Sequence, residues 1–108
     1  MKIEDSFISY AKFLENLTVK DIPKLNQFVT EDILFIDPFH QVRGFKNMSH
    51  IFTNLFQKVA NITFKVGSHA TNGTIVYFEW TLTGVLSKEP WIVEGVTKLT
   101  FNEKNLIT

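Results

Sequence analysis

The sequence predicts an α+β domain in which three N-terminal helices pack on one face of a curved, mainly antiparallel sheet. Up to residue 59, apolar side chains recur mainly at steps of three and four, the spacing of amphipathic helices. From residue 62 they recur at every second position, and Asn72-Gly73 is a strong hairpin signal. Helices that precede a run of hairpins favour an α+β arrangement with the helices on one face of the sheet.

Three segments have helical periodicity. Residues 5–17 carry apolar groups at helix spacing, and Asp5 or Ser6 is the expected N-cap. Asp21 is expected to cap a second, short helix, because Pro23 is tolerated in a first turn. The third helix follows Gly44 and has a strong apolar stripe, which consists of Phe45, Met48, Phe52, Leu55, Phe56 and Val59.

The strands follow from β-forming residues and from period-two alternation. Residues 33–37 predict a strand that Pro38 ends. Long strands are expected from residue 62, over about 74–86 and over about 90–101, and residues 106–108 begin another. In the first long strand, alternation places Phe64, Val66 and Ser68 on one face and His69 on the polar face. In the second, one face carries Val76, Phe78, Trp80 and Leu82.

Composition excludes several classes of protein. A length of 108 residues fits a single domain, 1–108. Eleven basic and eleven acidic residues cancel, so nucleic acid and membrane surfaces are not expected partners. The absence of Cys excludes disulfides and thiolate sites. Glu4 and Asp5 interrupt any signal-peptide pattern, and no apolar run could cross a bilayer, so we expect a cytoplasmic protein.

No metal or other cofactor is expected. The three His are not at metal-ligand spacings, and no cluster of carboxylates completes a site. The sequence also lacks a Gly-rich phosphate loop and a dinucleotide-binding fingerprint.

Aromatic residues are abundant, with eleven Phe, two Trp and two Tyr. Such bulky groups pack against each other in a core, or line a cavity or an interface. The pocket interpretation makes ligand-binding candidates of Phe52, Phe64, Phe78 and Trp80, whereas the alternative is that they fill the core. Gly95 either leaves room beside a ligand or marks a bend in the sheet, and the Thr97 hydroxyl is a candidate hydrogen-bond donor to a ligand carbonyl.

Three segments resemble the nuclear transport factor 2-like superfamily, and within it the SnoaL-like, polyketide-cyclase-related proteins. They are Phe-Ile-Asp-Pro-Phe at 35–39, Val-Arg-Gly-Phe at 42–45 and Glu-Gly-Val-Thr-Lys-Leu-Thr-Phe at 94–101. The resemblance covers nearly the whole chain. It implies a cone in which a bent antiparallel sheet wraps a long helix around an apolar cavity, with frequent dimers through the outer sheet face. It is a poor guide to activity, because many functions share this scaffold.

Within that superfamily, delta-5-3-ketosteroid isomerase is the informative relative. Its general-base Asp lies in an Asp-Pro step after the first strand, a place that Asp37-Pro38 occupies here. Its oxyanion-binding Tyr and Asp correspond to Phe13 and Thr97, so steroid isomerisation by that mechanism is not expected. Similar proteins usually continue into a strand with a His-x-Asp-x-Trp-like segment that carries a catalytic acid in cyclases, whereas this sequence ends at Thr108.

Asp37 and His40 are the catalytic candidates. Asp37 alternates with Ile33 and Phe35 on the inward face of its strand, so we expect an apolar surround that raises its pKa. Such a carboxylate can take a proton from a carbon next to a carbonyl group, or donate a proton to a leaving group. The structural alternative is that Asp37 caps the loop through backbone N–H groups. His40 could orient Asp37 or relay its proton, and Arg43 is expected to pair with a carboxylate.

The leading hypothesis is a pocket for a small, largely apolar molecule, in an isomerase, cyclase or lyase that uses Asp37 as acid or base. The competing hypothesis is a non-catalytic ligand-binding or dimerisation module with the same fold. A homodimer is expected through the outer sheet face, which carries Ile75, Tyr77, Thr81, Thr83, Ile92 and Thr100.

Overall fold

The computed structural model describes residues 2–108, whose helices all lie before residue 59. Helix α1 spans Ile3–Glu15, a 3₁₀ helix spans Val19–Gln27, and helix α2 spans Phe45–Lys58. Helix α1 begins earlier than predicted, with Lys2 at the N-cap and no side-chain cap. Asp5 and Ser6, the expected caps, lie inside the helix instead. The carboxylates of the first turn, Glu4 and Asp5, interact favourably with the positive end of the helix dipole.

The second helix is a 3₁₀ helix that begins at Val19, with Thr18 rather than Asp21 at its N-cap. Asp21 Oδ2 accepts hydrogen bonds from the Thr18 hydroxyl at 2.8 Å and from the Thr18 N–H at 3.3 Å. The bond from the Thr18 hydroxyl lowers the pKa of Asp21 below its usual value. Pro23 has no N–H to donate to the Val19 carbonyl, so an α-helical hydrogen bond cannot form at that point.

The strands form a short hairpin and a separate three-stranded antiparallel sheet. Strands β1 (Leu34–Ile36) and β2 (Gln41–Arg43) pair with Phe35 opposite Val42. Strand β2 lies between Pro38 and Gly44, where the sequence pattern indicates no strand. The larger sheet has the order β3-β4-β5, from strands Ala60–Asn72, Ile75–Leu86 and Glu89–Thr100. These bounds agree with the predicted long strands to within about two residues.

Strand β3 contains two irregularities that shift its register against β4. Between Val66 and His69 the strand has one residue more than its partner, so Gly67 and Ser68 oppose Glu79. The Ser68 hydroxyl donates to a Glu79 carboxylate oxygen at 2.8 Å. After this bulge the alternation is inverted, and His69 pairs with the buried Phe78 on the helix-facing side. The predicted position of His69 on the polar face is therefore wrong.

Two-residue turns connect the long strands. Asn72 pairs with Ile75, so the first turn consists of Gly73 and Thr74 rather than Asn72 and Gly73. Gly73 has a φ of 61°, the left-handed conformation that glycine adopts without a steric penalty. The second turn is Ser87-Lys88, where both residues have positive φ, as in a type I′ turn. At the C-terminus, Ile107 forms bridges with Phe101 and Val29.

The core lies between the helices and the inner face of the three-stranded sheet. The predicted inward face of β4 is confirmed, since Val76, Phe78 and Leu82 are buried and Trp80 is half-buried. Fourteen buried side chains form one cluster, so the described chain has a continuous apolar core. Its members are Phe7, Tyr10, Ala11, Leu14, Ile22, Leu25, Val29, Ile33, Met48, Val76, Phe78, Leu99, Phe101 and Ile107.

Helix α1 lies along the free edge of β3. The Glu15 carboxylate accepts a hydrogen bond from the Val66 N–H at 2.9 Å. Near the start of the helix, Glu4 Oε1 lies 3.2 Å from His69 Nε2, and the ring centroids of Phe7 and His69 are 4.7 Å apart. The Glu15 carboxylate thus supplies a partner for one backbone N–H on the edge of β3 that faces away from β4, and the His69 contacts hold the start of α1 against the strand.

Candidate functional site

The β1–β2 hairpin carries the two catalytic candidates in its loop. Phe35 contacts Phe52 of α2 at a centroid distance of 6.0 Å, so this face of β1 points toward α2. Asp37 alternates with Phe35 and follows β1 on the same side. The loop closes through a hydrogen bond from the Asp37 N–H to the His40 carbonyl at 2.9 Å. Hairpin geometry therefore brings Asp37 and His40 together.

The Asp37 carboxylate accepts hydrogen bonds from the loop that follows it. Its Oδ1 accepts the N–H of Phe39 at 2.9 Å and the N–H of His40 at 2.7 Å. The Nδ1 of the His40 ring lies 2.9 Å from the same oxygen. This arrangement is the loop cap that was considered as the structural alternative, and it also forms the carboxylate–imidazole pair that a proton relay needs.

The Asp37–His40 pair reaches the surface. The Asp37 side chain is 28% exposed and that of His40 is 47% exposed. Between them Phe39 projects into solvent with 90% of its surface exposed. The carboxylate is thus held by polar contacts at the end of a hairpin, and lacks the fully apolar surround that the sequence predicted.

On the sheet, Trp80 and Thr97 form a second polar pair. The Trp80 indole N–H donates to the Thr97 hydroxyl oxygen at 2.8 Å in a partly buried setting. The Phe64 ring stacks on the indole at a centroid distance of 5.6 Å and an interplanar angle of 23°. Because Thr97 accepts from Trp80, its own hydroxyl hydrogen stays available for a further acceptor.

Trp80 also occupies the space next to Gly95, its direct partner in the β4–β5 register. A Cβ atom at position 95 would collide with Cζ2 of the indole and lie 2.8 Å from Cε2. The bare backbone of Gly95 is therefore covered by the tryptophan ring. The missing side chain makes room for Trp80 in this structure.

The remaining ligand-binding candidates lie in different surroundings. Phe78 is fully buried, and its ring centroid is 5.2 Å from that of Phe7. Phe52 and Phe64 are half-buried and pack against the core from α2 and from β3. The structure thus brings Phe64, Trp80, Gly95 and Thr97 together, places Phe52 beside the β1–β2 hairpin, and assigns Phe78 to the core.

Two other features near this region depart from the sequence analysis. Arg43 donates from Nη1 to the Asp32 carbonyl at 3.3 Å, so it holds the loop through a backbone oxygen rather than a carboxylate. A groove of about 410 Å³ lies between the 3₁₀ helix and α2, and no pattern in the sequence indicates it. A second depression, of about 520 Å³, lies on the sheet and is lined by residues that include Glu79, Glu94 and the ligand-binding candidates Trp80 and Gly95. Neither depression is lined by Asp37 or His40.

Metal-binding clusters and helices suited to a membrane are both absent from residues 2–108. No group of three or more His, Asp or Glu side chains in this part of the chain is arranged to hold a metal ion. None of the helices described here has the length and apolar character required to span a membrane.

Comparison with known sequences identifies one domain family. The sequence profile of the SnoaL-like domain matches residues 10–108. No curated protein matches the chain.

Solved structures with the same fold include several bacterial proteins. A putative SnoaL-like polyketide cyclase from Jannaschia sp. CCS1 is similar with a TM-score of 0.82 and 15% identity, covering 97% of this chain and 79% of that one. An NTF2-like protein of unknown function from Burkholderia pseudomallei gives a TM-score of 0.82 and 9% identity, with coverages of 99% and 86%. An LEH-like epoxide hydrolase from M. tuberculosis gives a TM-score of 0.75 and 14% identity. The match covers 98% of this chain and 73% of that one. At these identities the similarity shows the fold, which is the nuclear transport factor 2-like α+β fold.

Proposed function

Because the chain belongs to the SnoaL-like family, we propose that it binds a small, largely apolar molecule and moves a proton on it through Asp37 and His40. The observation that carries this proposal is the 2.9 Å contact between Asp37 Oδ1 and His40 Nδ1. The reaction class is isomerisation, cyclisation or elimination at a carbon next to a carbonyl group. Opening of an epoxide by water needs the same kind of proton transfer, and the similar epoxide hydrolase adds epoxides to the substrates to be tested.

The chemistry of the pair supports an acid–base role. A carboxylate that faces a ring nitrogen fixes the imidazole orientation and can exchange a proton with it. With the Nδ1–H directed at Asp37, the Nε2 atom of His40 is left as the acceptor. In this proposal Asp37 takes or returns the substrate proton. His40 positions the Asp37 carboxylate and relays the proton.

The binding surface in this proposal consists of partly exposed aromatic side chains and one hydroxyl. Phe52, Phe64 and Trp80 offer apolar contact on the helix side and on the sheet side. Thr97 offers its hydroxyl hydrogen to a ligand carbonyl, because its oxygen already accepts the Trp80 N–H. A hydroxyl that accepts one hydrogen bond becomes a stronger donor of the next.

The test is turnover with a panel of small ketones, lactones and epoxides, followed by NMR. Asp37→Asn keeps an oxygen for the loop N–H groups and removes the proton acceptor. We expect it to lower any turnover by roughly 10²-fold or more, the scale of general acid–base catalysis. Asp32→Asn, which changes an exposed carboxylate just before β1 and outside the Asp37–His40 pair, is the matched control. Unchanged turnover in Asp37→Asn would contradict the acid–base role.

A non-catalytic binding module of the same fold is the second candidate, and a specific observation favours it. The Trp80 ring fills the space over Gly95, and the loop N–H groups already use Asp37 Oδ1. This alternative predicts saturable binding of members of the panel without any turnover. It also predicts that Thr97→Val weakens that binding whereas Asp37→Asn does not.

A further inference from the structure

The groove between the 3₁₀ helix and α2 is separate from the residues of the proposed reaction. It measures about 410 Å³, which lies in the lower part of the usual range for small-molecule sites. The two helices pack directly against each other, and the groove follows their line of contact. Its walls are formed by Val19, Ile22, Pro23, Phe45, Lys46, Ser49, His50 and Thr53.

The floor of this groove is apolar, and part of its rim is apolar and exposed. Ile22 is fully buried beneath it, and Phe45 is half-buried at the start of α2. Val19 is 55% exposed, so it contributes apolar surface to the rim of the groove. A ligand that covered Val19 would remove this apolar surface from water.

The groove is lined by one charged side chain, Lys46, and one further basic side chain, His50. Lys46 and His50 are four residues apart on α2, so their side chains lie on the same side of the helix. No acidic side chain lines the groove, and the first turn of α2 contains none. The nearby Asp21 is engaged by Thr18 and by Lys24, whose Nζ lies 3.6 Å away.

Neither basic residue is neutralised by the protein. Within residues 2–108, Lys46 and His50 take part in none of the ion pairs or side-chain hydrogen bonds. The groove therefore combines an apolar floor with unpaired basic side chains at its rim.

Ser49 adds a polar group without a partner. Its hydroxyl oxygen is buried and makes no hydrogen bond. Buried hydroxyl groups are almost always hydrogen-bonded, so an isolated one calls for a partner. Ser49 lies between Lys46 and His50 in the wall of the groove, and rotation about its Cα–Cβ bond would direct the hydroxyl toward a bound acceptor.

We propose that this groove binds a small apolar monocarboxylic acid. The hydrocarbon part would cover Val19, Ile22 and Phe45, and the carboxylate would pair with Lys46 and accept a hydrogen bond from the His50 ring. A carboxylate accepts hydrogen bonds from several donors at once, so Ser49 completes the set. The apolar floor disfavours an inorganic anion, and the basic rim disfavours a fatty amine.

Octanoate is the probe for this proposal, and a ¹⁵N-labelled sample of the whole chain reports where it binds. We expect saturable amide shifts at Ser49, His50 and Thr53. Acetate, which lacks the hydrocarbon part, and 1-octanol, which lacks the charge, should each bind at least roughly three-fold more weakly. Equal binding of acetate or of 1-octanol would overturn the proposal, as would the absence of saturable shifts.

Two variants of the groove and one control sharpen the test. Lys46→Met should weaken octanoate binding by roughly three-fold or more, whereas Lys58→Met removes the same charge from the other end of α2 and should leave it unchanged. Val19→Ser should also weaken binding through lost apolar contact. An equal effect of Lys58→Met would overturn the proposal. Octanoate shifts centred on Trp80 and Thr97 would do so too, while leaving the acid–base proposal for Asp37 intact.

Discussion

The indole ring of Trp80 covers the backbone of Gly95, its partner across the β4–β5 ladder. The ring cannot simply move aside, because its N–H is bonded to Thr97 and its face is stacked on Phe64. Three neighbouring residues thus fix one aromatic side chain in the half-buried part of the sheet.

Gly95→Ala is therefore expected to destabilise the protein by about 1–3 kcal/mol, the usual cost of inserting a methyl group into a packed site. Urea denaturation measures this change. Gly67→Ala is the matched control, since a Cβ there would lie 3.5 Å from the Glu79 Cβ, an ordinary contact. An equal loss of stability in both variants would mean that the ring is not the obstacle.

Thr97→Val tests the hydrogen bond between Trp80 and Thr97. The variant leaves the partly buried indole N–H without its acceptor, so we expect a loss of about 1–3 kcal/mol in the free energy of unfolding. Thr97→Ser keeps a hydroxyl and should lose less. If a double-mutant cycle with Trp80→Phe gave no coupling energy, the bond would contribute nothing to stability.

Asp37 can be tested for its role in the loop separately from any chemistry. Asp37→Ala removes the acceptor for the Phe39 and His40 N–H groups and should destabilise the protein by about 1 kcal/mol. Asp37→Asn retains an oxygen in that position and should cost less. Thermal unfolding of the two variants compares them, and an Asn variant as unstable as the Ala variant would contradict the loop-cap role.

Tyr10 predicts how stability depends on alkaline pH. Burial raises the pKa of this phenol well above its ordinary value, because the folded chain disfavours the charged form. In the unfolded chain the group ionises near pH 10, so the folded state holds one more proton above that pH. The contribution of Tyr10 to the free energy of unfolding is thus fully present below about pH 10. Above that pH it decreases by about 1.4 kcal/mol per pH unit.

Urea denaturation at several alkaline pH values measures this slope. Tyr10→Phe should flatten it, since the variant has no proton to lose at this position. Tyr77→Phe, at a partly exposed position on the outer sheet face, should retain the slope of the unmodified protein. If Tyr10→Phe showed the same slope as the unmodified protein, other titratable groups would be responsible for the loss of stability at alkaline pH.

A dimer is expected through the outer face of the three-stranded sheet. Ile92 and Val96 are 64% and 66% exposed there, and Tyr77 lies on the same face. Such exposed apolar side chains favour an isologous contact. Sizing chromatography with light scattering at tens of micromolar should report a dimer, and Val96→Lys should shift it to a monomer. Ile8→Lys, on α1, is the control, and a monomer in the unmodified protein would contradict the expectation.

The sequence predicts the regular parts of this fold well and its irregular parts poorly. In β4, strict alternation gives the buried face correctly, because no extra residue interrupts the strand. In β3, the bulge at Gly67 and Ser68 inverts the pattern, and nothing in the period-two signal marks it beyond the glycine itself. Strand β2 is too short for its pattern to be distinguished from a loop.

The candidate site shows the same limits. The Asp-Pro step identifies the position of Asp37, and the three-residue spacing brings His40 to it across the turn. Exposure of the pair depends on how far the hairpin projects, which is a tertiary property. The position of the Trp80 ring over Gly95 depends on a side-chain rotamer, and alternation along a strand carries no information about that.

Helix α1 covers the free edge of β3, and this cover affects how the protein behaves in solution. Its Glu15 caps the Val66 N–H, and its Glu4 meets His69 farther along the same edge. Removal of this helix by proteolysis or truncation would take four members away from the core cluster and would also uncover a long strand edge able to pair with other chains. Preparations that lose their first fifteen or so residues should therefore precipitate or form fibrils, and an intact N-terminus is a quality criterion for work in solution.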